Sequence, residues 1–367
     1  MADLPELRRD PATREWVIIS PKREGRATGF RIPDGDEPLE EYDPECPFCP
    51  GNEAMTPPEV LAYRSSDSQP DSPGWWVRVV PNKFPVISPD GDLDTKGFGM
   101  YDLMHGVGAH EVMIETPKHN LQIATMPLQQ LSEVLWAFRD RCLDLSQDTR
   151  VRYTMLFRNR GRIAGATLAH PHSQLVALPM IPHDLKQKIA GVAAYYDFHE
   201  RCLYCDMIRQ ETNFGERIIC GNEEFIAFCP YAPKYPYEIV IMPRGHRRAF
   251  VEETRHTIEP LARIVREVMQ RLDSALNSPP FNFTFHSAPV NVEKDPLFHW
   301  HLSVLPRLTI AAGFEMGTGI YINTVRPEDA ARILREERIE PKPVETAQPA
   351  AAGNGETKSA GKSKVST

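Results

Sequence analysis

The stretch HEVMIETPKH at residues 110–119 recurs in altered form as YEIVIMPRGH at residues 237–246. Both stretches contain a glutamate, alternating apolar positions, a late proline and a terminal histidine. Alternation with a period of two is typical of a half-buried strand. Two matched strands of this kind in one chain indicate an internal duplication, and we therefore expect two similar units.

The elements around each stretch follow the same order in both halves. The first half reads CPFC (46–49), WWVRVVP (75–81), the stretch ending at His119, a helix at 127–147, the strand VRYTMLF and His170-Pro-His172. The second half reads CLYC (202–205), FIAFCP (225–230), the stretch ending at His246, a helix at 259–277, the strand FNFTFH and His299-Trp-His301. Short strands with one amphipathic helix per half predict an α+β fold, with helices packed on an antiparallel or mixed sheet.

This organisation divides the chain into an N-terminal unit at 1–180, a C-terminal unit at 181–340 and a tail at 341–367. The linker near 180–201 reads as a helix, and the extra segment 88–108 in the first unit reads as a long loop. The tail has few large apolar residues, and we expect it to be disordered.

The composition is that of an ordinary globular protein, with 41% hydrophobic and 25% charged residues among 367. No run approaches the ~20 apolar residues that cross a bilayer, and the N-terminus lacks the layout of a secretory signal. We therefore expect a cytoplasmic protein without membrane contact. A net charge of −8, uninterrupted by any basic block, argues against a nucleic-acid partner.

Four of the seven cysteines fall into two C-x-x-C pairs, and an odd count without a signal sequence argues against disulfides. Structural zinc takes four ligands in a tetrahedron, commonly one such pair and two further residues. The repeat supplies two sets and predicts two zinc ions per chain: Cys46, Cys49, His119 and His170, then Cys202, Cys205, His246 and His299. For CPFC alone, a pair of reduced thiols is the alternative. A thioredoxin-like pair is disfavoured, because we expect neither pair to open a helix after a strand.

His110 competes with His119 as the third ligand of the first set, since it begins the same stretch. Its counterpart in the second half is Tyr237, which does not replace a zinc-binding imidazole, whereas His119 is matched by His246. The repeat therefore favours His119.

The segment NRGRIAGATLAHPH at 159–172 points to phosphate chemistry. Two glycines and a hydroxyl before a histidine make a backbone that phosphate oxygens can approach closely. We expect Pro171 to hold His170 and His172 on opposite sides of the chain, with His170 at the metal and His172 free.

The pattern N-x-G-x-x-x-G-x-(S/T)-x-x-H-P-H-x-Q resembles the active-site segment of the galactose-1-phosphate uridylyltransferase family, a branch of the histidine-triad superfamily. The resemblance runs from Arg9 to about Glu337 and includes DPATREWVIISPKREGR at 10–26 and FHWHLSVLPRLTIAAGFEMGTGIYIN at 298–323. The latter is most similar to the bacterial and plant group that also contains ADP-glucose phosphorylases. The resemblance implies two fused histidine-triad-like units and a homodimer.

By the same resemblance, His172 is the nucleophile that attacks the α-phosphorus of a nucleotide sugar and becomes a covalent nucleotidyl-histidine. A sugar phosphate then accepts the group, so one transfer is divided into two displacements. Gln174 stands where histidine-triad hydrolases carry a third histidine. An amide donates a hydrogen bond to a phosphoryl oxygen but transfers no proton, which favours a transferase.

Further substrate contacts are implied by the resemblance alone. Paired arginines reach phosphates from the partner subunit, an asparagine contacts the nucleoside, a loop binds phosphate, and a phenylalanine and glutamate contact the sugar. The corresponding residues are Arg23 and Arg26; Asn82; Asn159, Gly161, Gly165, Ala166 and Thr167; and Phe314 and Glu315. For Arg23 and Arg26 the alternative is a solvated basic turn.

The chain also departs from the family pattern. The best-known enteric members bind a second metal through a glutamate and three histidines, whereas CLYC replaces that set here. Thr309 stands where a lysine is expected before Glu315, and Ser303 stands where a second Gln174 would be, so we expect His301 not to act as a nucleophile. The leading hypothesis is exchange of UMP between UDP-glucose and galactose 1-phosphate. The alternatives are an ADP-glucose phosphorylase and a non-catalytic, zinc-stabilised nucleotide-binding module.

Overall fold

The computed structural model describes residues 4–21, 39–291 and 297–339, so Arg23, Arg26 and the tail from 341 lie outside the described residues. The strands of the described residues are β1 Glu6–Arg9, β2 Trp16–Ile19, β3 Leu61–Arg64, β4 Trp75–Pro81, β5 Lys96–Phe98, β6 Tyr101–Leu103, β7 Ala109–Ile114, β8 Tyr153–Arg160, β9 His172–Leu178, β10 Ile218–Gly221, β11 Phe225–Phe228, β12 Ile239–Pro243, β13 Phe281–His286, β14 His301–Pro306 and β15 Tyr321–Asn323.

Ten of these strands form one continuous antiparallel sheet, in the order β10-β11-β12-β14-β13-β8-β9-β7-β4-β3. The central pair is β8 with β13. On one side of this pair lie β9, β7, β4 and β3 of the first half, and on the other side lie their counterparts β14, β12, β11 and β10 of the second half, in the same order. This arrangement agrees with the α+β prediction and is the one that a duplication predicts, although the duplication and the division at 180 stay predictions.

The helices are α1 Leu128–Leu145, α2 His183–His199, α3 Leu203–Phe214, α4 Arg255–Leu276, α5 Gly313–Thr318 and α6 Pro327–Glu336. α1 and α4 pack together on one face of the sheet, where Leu135 and Phe138 join Val265 and Trp300 in one buried cluster. The predicted helices at 127–147 and 259–277 and the linker helix are thereby confirmed. α2 and α3 pack on part of the opposite face, and the candidate site lies on the remainder of that face.

Two predictions of local structure are wrong. The matched stretches are not strands over their full length, since β7 ends at Ile114 and β12 at Pro243. Proline lacks the N–H that a ladder requires, so Pro117 and Pro243 limit the strands and leave His119 and His246 in loops. The extra segment 88–108 is not wholly a loop, because β5 and β6 form an exposed hairpin within it.

A small separate sheet, β1-β2-β15, joins the beginning of the described chain to its end, with β15 parallel to β2. Within the described ranges, every helix is too short or too polar to cross a bilayer.

Candidate active site and metal centres

The first predicted metal set comes together as a buried cluster. The donor atoms of Cys46, Cys49, His119 and His170 all lie within 4.8 Å of one another. The Sγ of Cys49 lies 3.5 Å from Nδ1 of His119 and 3.6 Å from Nδ1 of His170, and the Sγ of Cys46 lies 3.7 Å from the same His170 atom. A zinc tetrahedron with bonds of about 2.3 Å to sulfur and about 2.0 Å to nitrogen has S···N edges of about 3.5 Å. The donor set fits such a metal.

The protonation of His170 also suits a ligand. Its Nε2 donates a hydrogen bond to the carbonyl oxygen of Thr116 at 2.8 Å, which leaves Nδ1 without a proton on the side of the thiols. Burial lowers the pKa of His170 to about 4, so the ring is neutral near pH 7. The backbone N–H groups of Phe48 and Asp43 donate hydrogen bonds to the Sγ atoms of Cys46 and Cys49, at 3.4 and 3.3 Å respectively.

The second set repeats this geometry nearer the surface. Its four donor atoms also lie within 4.8 Å of one another, with Cys205 Sγ at 3.6 Å from Nδ1 of His246 and 3.7 Å from Nδ1 of His299. Nε2 of His299 donates to the carbonyl oxygen of Pro243 at 2.9 Å. His246 is exposed and Cys202 and Cys205 are half-buried, so this centre is more accessible than the first.

CLYC opens a helix that does not follow a strand, which agrees with the expectation for both C-x-x-C pairs. Cys202 is the N-cap of α3, and Cys205 lies in its first turn. α3 follows α2 rather than a strand, so the βαβ setting of a thioredoxin-like motif is absent from this part of the described chain. The two nearby histidines favour a metal over redox chemistry.

The argument that placed His170 and His172 on opposite sides of the chain is wrong. Residues two apart in a strand share a face, and β9 begins only at His172, so His170 precedes the strand. The ring of Phe48 lies 6.0 Å from the ring of His170 and 5.3 Å from that of His172, so the two imidazoles are neighbours. The two imidazoles differ instead in which nitrogen donates a hydrogen bond: Nε2 in His170 and Nδ1 in His172.

His172 is held in one tautomer by the residue that precedes the proline. Its Nδ1 donates to the carbonyl oxygen of His170 at 2.8 Å, so Nε2 keeps a free lone pair. Burial lowers the pKa of His172 and favours the neutral ring that a nucleophile requires. The side chain lines an open cavity of ≈ 1080 Å³, together with residues 158–162 and 165–171.

The loop before His172 supplies hydrogen-bond donors to this cavity. Gly161 and Gly165 have φ of +81° and +89°, which side chains other than glycine rarely adopt. The turn closes internally, with the N–H of Ala164 donating to the carbonyl of Gly161 at 3.0 Å. The N–H groups of residues 167–169 make no hydrogen bond within the described residues, and these residues line the cavity. Free backbone donors around a cavity suit an anionic ligand.

Asn159 is oriented by residues of the second half. Arg307 donates to Oδ1 of Asn282 at 3.0 Å, so the amide nitrogen of Asn282 is the donor to Oδ1 of Asn159 and to the carbonyl of Ala164, both at 2.8 Å. The amide nitrogen of Asn159 is thereby left to face the loop near Gly165. The second half thus fixes both the loop and one of its donors.

The other predicted substrate-binding residues lie at several places around the site. Gln174 lies on β9 two residues after His172 and therefore shares its face, with its Oε1 2.8 Å from Nε2 of His110. Asn82 reaches the same nitrogen at 3.1 Å. Gln174 and Asn82 are not among the residues that line the cavity around His172. Phe314 and Glu315, on α5, also lie outside this lining, and Glu315 accepts the N–H of Ala312 at 3.0 Å.

Comparisons with known proteins agree with this geometry. The family model described as galactose-1-phosphate uridyl transferase, N-terminal domain, matches residues 1–182, and one described as a domain of unknown function (DUF4921) matches residues 108–341. An ADP-glucose phosphorylase of Arabidopsis thaliana is 33% identical over 338 residues, which are 90% of this chain and 93% of that protein. A galactose-1-phosphate uridylyltransferase of Thermotoga maritima is 30% identical over 344 residues, 91% and 99% of the two chains. The chain belongs to the galactose-1-phosphate uridylyltransferase family.

The likeness extends to three dimensions. The crystal structure of an ADP-glucose phosphorylase from Arabidopsis thaliana with bound ADP-glucose superposes with a TM-score of 0.77 at 31% identity, covering 92% of this chain and 100% of that one. The α+β fold is therefore that of the uridylyltransferase family.

In this member of the family, the second half has a histidine in the place of His172 whose lone pair is engaged. His301 donates from Nδ1 to the carbonyl of His299 at 3.1 Å, as His172 does to His170. Its Nε2, however, lies 3.2 Å from Nζ of Lys188, a donor on α2. The contact agrees with the expectation that His301 is not a nucleophile.

Sequence reasoning missed a buried ion pair beside the nucleophile. Arg158 on β8 donates to Glu115, and the other carboxylate oxygen accepts the hydroxyl of Ser173 at 2.6 Å. Both charged side chains are almost fully buried, so each depends on the other. The sequence signal that could have indicated this ion pair is the presence of Arg158 and Glu115 within two otherwise apolar stretches.

Proposed function

We propose that the chain transfers a nucleotidyl group from a nucleotide sugar through a covalent bond to His172. The observation that carries the proposal is the tautomer of His172, whose Nδ1 is committed to the carbonyl of His170 while Nε2 is available in the cavity. Family membership supplies the reaction class, and the glycine loop supplies donors for the phosphates.

In the first displacement, the lone pair of His172 Nε2 forms a bond to the α-phosphorus. The bond from that phosphorus to the bridging oxygen breaks, and its electron pair leaves with the hexose 1-phosphate. In the second, a phosphate oxygen of the acceptor forms a bond to the same phosphorus, and the electron pair of the P–N bond returns to the imidazole. The hexose 1-phosphate that leaves in the first step and the imidazole that leaves in the second each depart without taking up a proton, which suits glutamine rather than histidine at position 174.

The negative charge that develops on the phosphoryl oxygens requires donors that are already oriented. The free N–H groups of residues 167–169 and the amide nitrogens of Asn159 and Gln174 are assigned this role. Gly161, Gly165 and Ala166 shape the loop. The nucleoside contact of Asn82 and the sugar contacts of Phe314 and Glu315 stay predictions from the resemblance, as do the phosphate contacts of Arg23 and Arg26.

The predicted reaction is exchange of UMP between UDP-glucose and galactose 1-phosphate. A second candidate is phosphorolysis of ADP-glucose, favoured by the Arabidopsis relative and by the structural likeness to a protein with bound ADP-glucose. Both reactions use the same nucleophile and differ in the base of the donor and in the acceptor.

We assign zinc to both groups of donor atoms. Zinc at the first group would hold His170, and so the carbonyl oxygen that fixes the tautomer of His172; its contribution is structural. The homodimer and the cytoplasmic setting stay predictions.

The decisive experiment is covalent labelling. The protein is incubated with UDP-glucose or ADP-glucose carrying ³²P at the α-phosphate, and acid-labile label on the protein is counted. The wild type should be labelled and His172→Ala should not, while a control at an exposed histidine, His256→Ala, should be labelled like the wild type. Label from UDP-glucose supports the uridylyltransferase, and label from ADP-glucose supports the phosphorylase. Absence of label from both refutes covalent transfer and favours the non-catalytic module.

A further inference from the structure

Gln174 is tied to a histidine that no metal set uses. His110 is the second residue of β7, and its backbone pairs with Val176 of β9, so its side chain lies on the same face as that of Gln174. The ring is buried, at 7% exposure, and its Nε2 lies 2.8 Å from Oε1 of Gln174. Either partner of such a contact could be the donor, because imidazoles have two neutral tautomers and amides two orientations.

A backbone group resolves the direction of this hydrogen bond. The N–H of Val86 points to Nδ1 of His110 at 3.2 Å, and a backbone N–H only donates. Nδ1 must therefore accept and carries no proton, which excludes both the other tautomer and the charged ring. The proton of the neutral ring is on Nε2, so Nε2 donates to Oε1 of Gln174 and the amide nitrogen of Gln174 is left free.

The segment around Asn82 lies against the ring of His110. The backbone N–H of Asn82 donates to the carbonyl of His110 at 2.8 Å. Oδ1 of Asn82 accepts the N–H of Phe84 at 2.8 Å, which directs its amide nitrogen to the ring, 3.1 Å from Nε2. With Nδ1 accepting from Val86, the proton on Nε2 is directed to the nearer oxygen, Oε1 of Gln174 at 2.8 Å, and the amide nitrogen of Asn82 lies beside the ring as a second donor. His110 is therefore enclosed by residues 82–86 on one side and Gln174 on the other.

We propose that His110 is a positioning residue for nucleotidyl transfer, which holds Gln174 by its oxygen so that the NH₂ group points to the phosphoryl oxygens. The inference rests on the proposed function, since the orientation matters only if an anion occupies the cavity beside His172. A reversed amide would present its carbonyl oxygen to that negative charge. His110 itself touches no reacting atom.

The second half offers an internal comparison. There Tyr237 stands in the place of His110 and Ser303 in the place of Gln174, and His301 has its lone pair directed to Lys188. The histidine and the glutamine are thus both present in the half with an available nucleophile and both replaced in the other.

The first test reads the tautomer directly on the full-length protein. Long-range ¹H–¹⁵N spectra of histidine-labelled protein, assigned for His110 by the loss of its signals in His110→Phe, should show a protonated Nε2 and an unprotonated Nδ1 at neutral pH. A protonated Nδ1, in either the other tautomer or the charged ring, would overturn the inference. This readout needs no activity, so it stands apart from the labelling of the wild type that tests the proposed function.

The second test measures single-turnover labelling by the nucleotide sugar that labels the wild type. An oriented hydrogen bond to a charged group changes rates by about 10- to 100-fold, and we expect His110→Phe to slow labelling by that factor while donor affinity and metal content hold. In a double-mutant cycle with Gln174→Ala, the second change should add little to the first. Independent, multiplying effects, or a His110→Phe rate within twofold of the wild type, would overturn the inference.

A further variant covers the case in which His110→Phe fails to fold. Gln174→Glu keeps the oxygen that accepts from His110 but has no N–H donor. It should label as slowly as Gln174→Ala while its melting temperature stays near that of the wild type. Labelling by Gln174→Glu at the wild-type rate would show that no donor is needed at position 174 and would overturn the inference.

Discussion

Replacing Cys49 by serine is the sharpest perturbation of the first metal centre. The Sγ of Cys49 contacts the Nδ1 atoms of both His119 and His170, and the residue is 1% exposed. A serine hydroxyl forms a shorter side chain and does not ionise near neutral pH, so it is a poor ligand for zinc. We expect Cys49→Ser to lose the metal of this centre and to keep the other, and the metal content to fall from about two ions per chain to about one.

The size of the effect follows from the burial of this centre. Zinc contributes about 10–16 kcal/mol to folded zinc-finger peptides, and a large protein that keeps the rest of its core should lose only part of this, about 5 kcal/mol. A chain of this size loses about 2 °C of melting temperature for each kcal/mol, which predicts a decrease of about 10 °C. Because His170 also holds His172 through its carbonyl, labelling should be lost with the metal.

The control is Cys142→Ala, which removes another buried thiol that lies on α1 outside both metal sets. Its expected loss is about 1 kcal/mol, or about 2 °C, with the metal content unchanged. Elemental analysis gives the metal content, and calorimetry gives the melting temperature. If Cys49→Ser keeps about two ions per chain, or melts within about 2 °C of the wild type, the assignment of this centre is refuted.

Three further predictions concern the amide, the second half and the pH dependence. Gln174→His should make the covalent intermediate more sensitive to water, because it adds a group that transfers protons; an intermediate with the wild-type lifetime in chase experiments would contradict this. Asn282→Ala should release Asn159 and the carbonyl of Ala164 and slow labelling by about 10-fold, with labelling rates near wild type as the opposing result. Burial raises the pKa of Glu238 to about 7 from 4.5, so the folded state binds a proton that the unfolded state releases, and stability falls as the pH rises from about 5 to about 7. In Glu238→Gln this fall should be smaller by about 1.4 kcal/mol per pH unit, as measured by urea unfolding, and an unchanged slope would contradict the shift.

The two metal sets could be predicted because matching positions in the two halves of the chain can be compared. The counterpart of His110 is Tyr237, which indicated that His119 rather than His110 is the ligand. The described structure brings each predicted set of four residues together. The same comparison located α1 and α4, whose apolar periodicity extends over several turns. Long periodic helices and repeated ligand spacings are strong signals within one sequence.

Contacts that depend on distant strands were not predictable in this way. The hydrogen bond from His110 to Gln174 requires the register of β7 on β9, and that from Asn282 to Asn159 joins the two halves. A pattern of period two says which residues share a face but not which strand lies opposite. The hairpin of β5 and β6 has only three residues in each strand, too few for alternation to be recognised.

The continuity of the ten-stranded sheet has a consequence for dissection of the chain. Within this sheet the two halves are joined by the pairing of β8 with β13, and a break in the chain between β9 and α2 followed by separation of the halves would expose one new unpaired edge on each. The unpaired N–H and C=O groups of an edge strand tend to pair with another strand, and the best-matched strand for each new edge is that of the other fragment. Fragments produced separately should therefore aggregate, whereas fragments produced together should reassemble into one sheet.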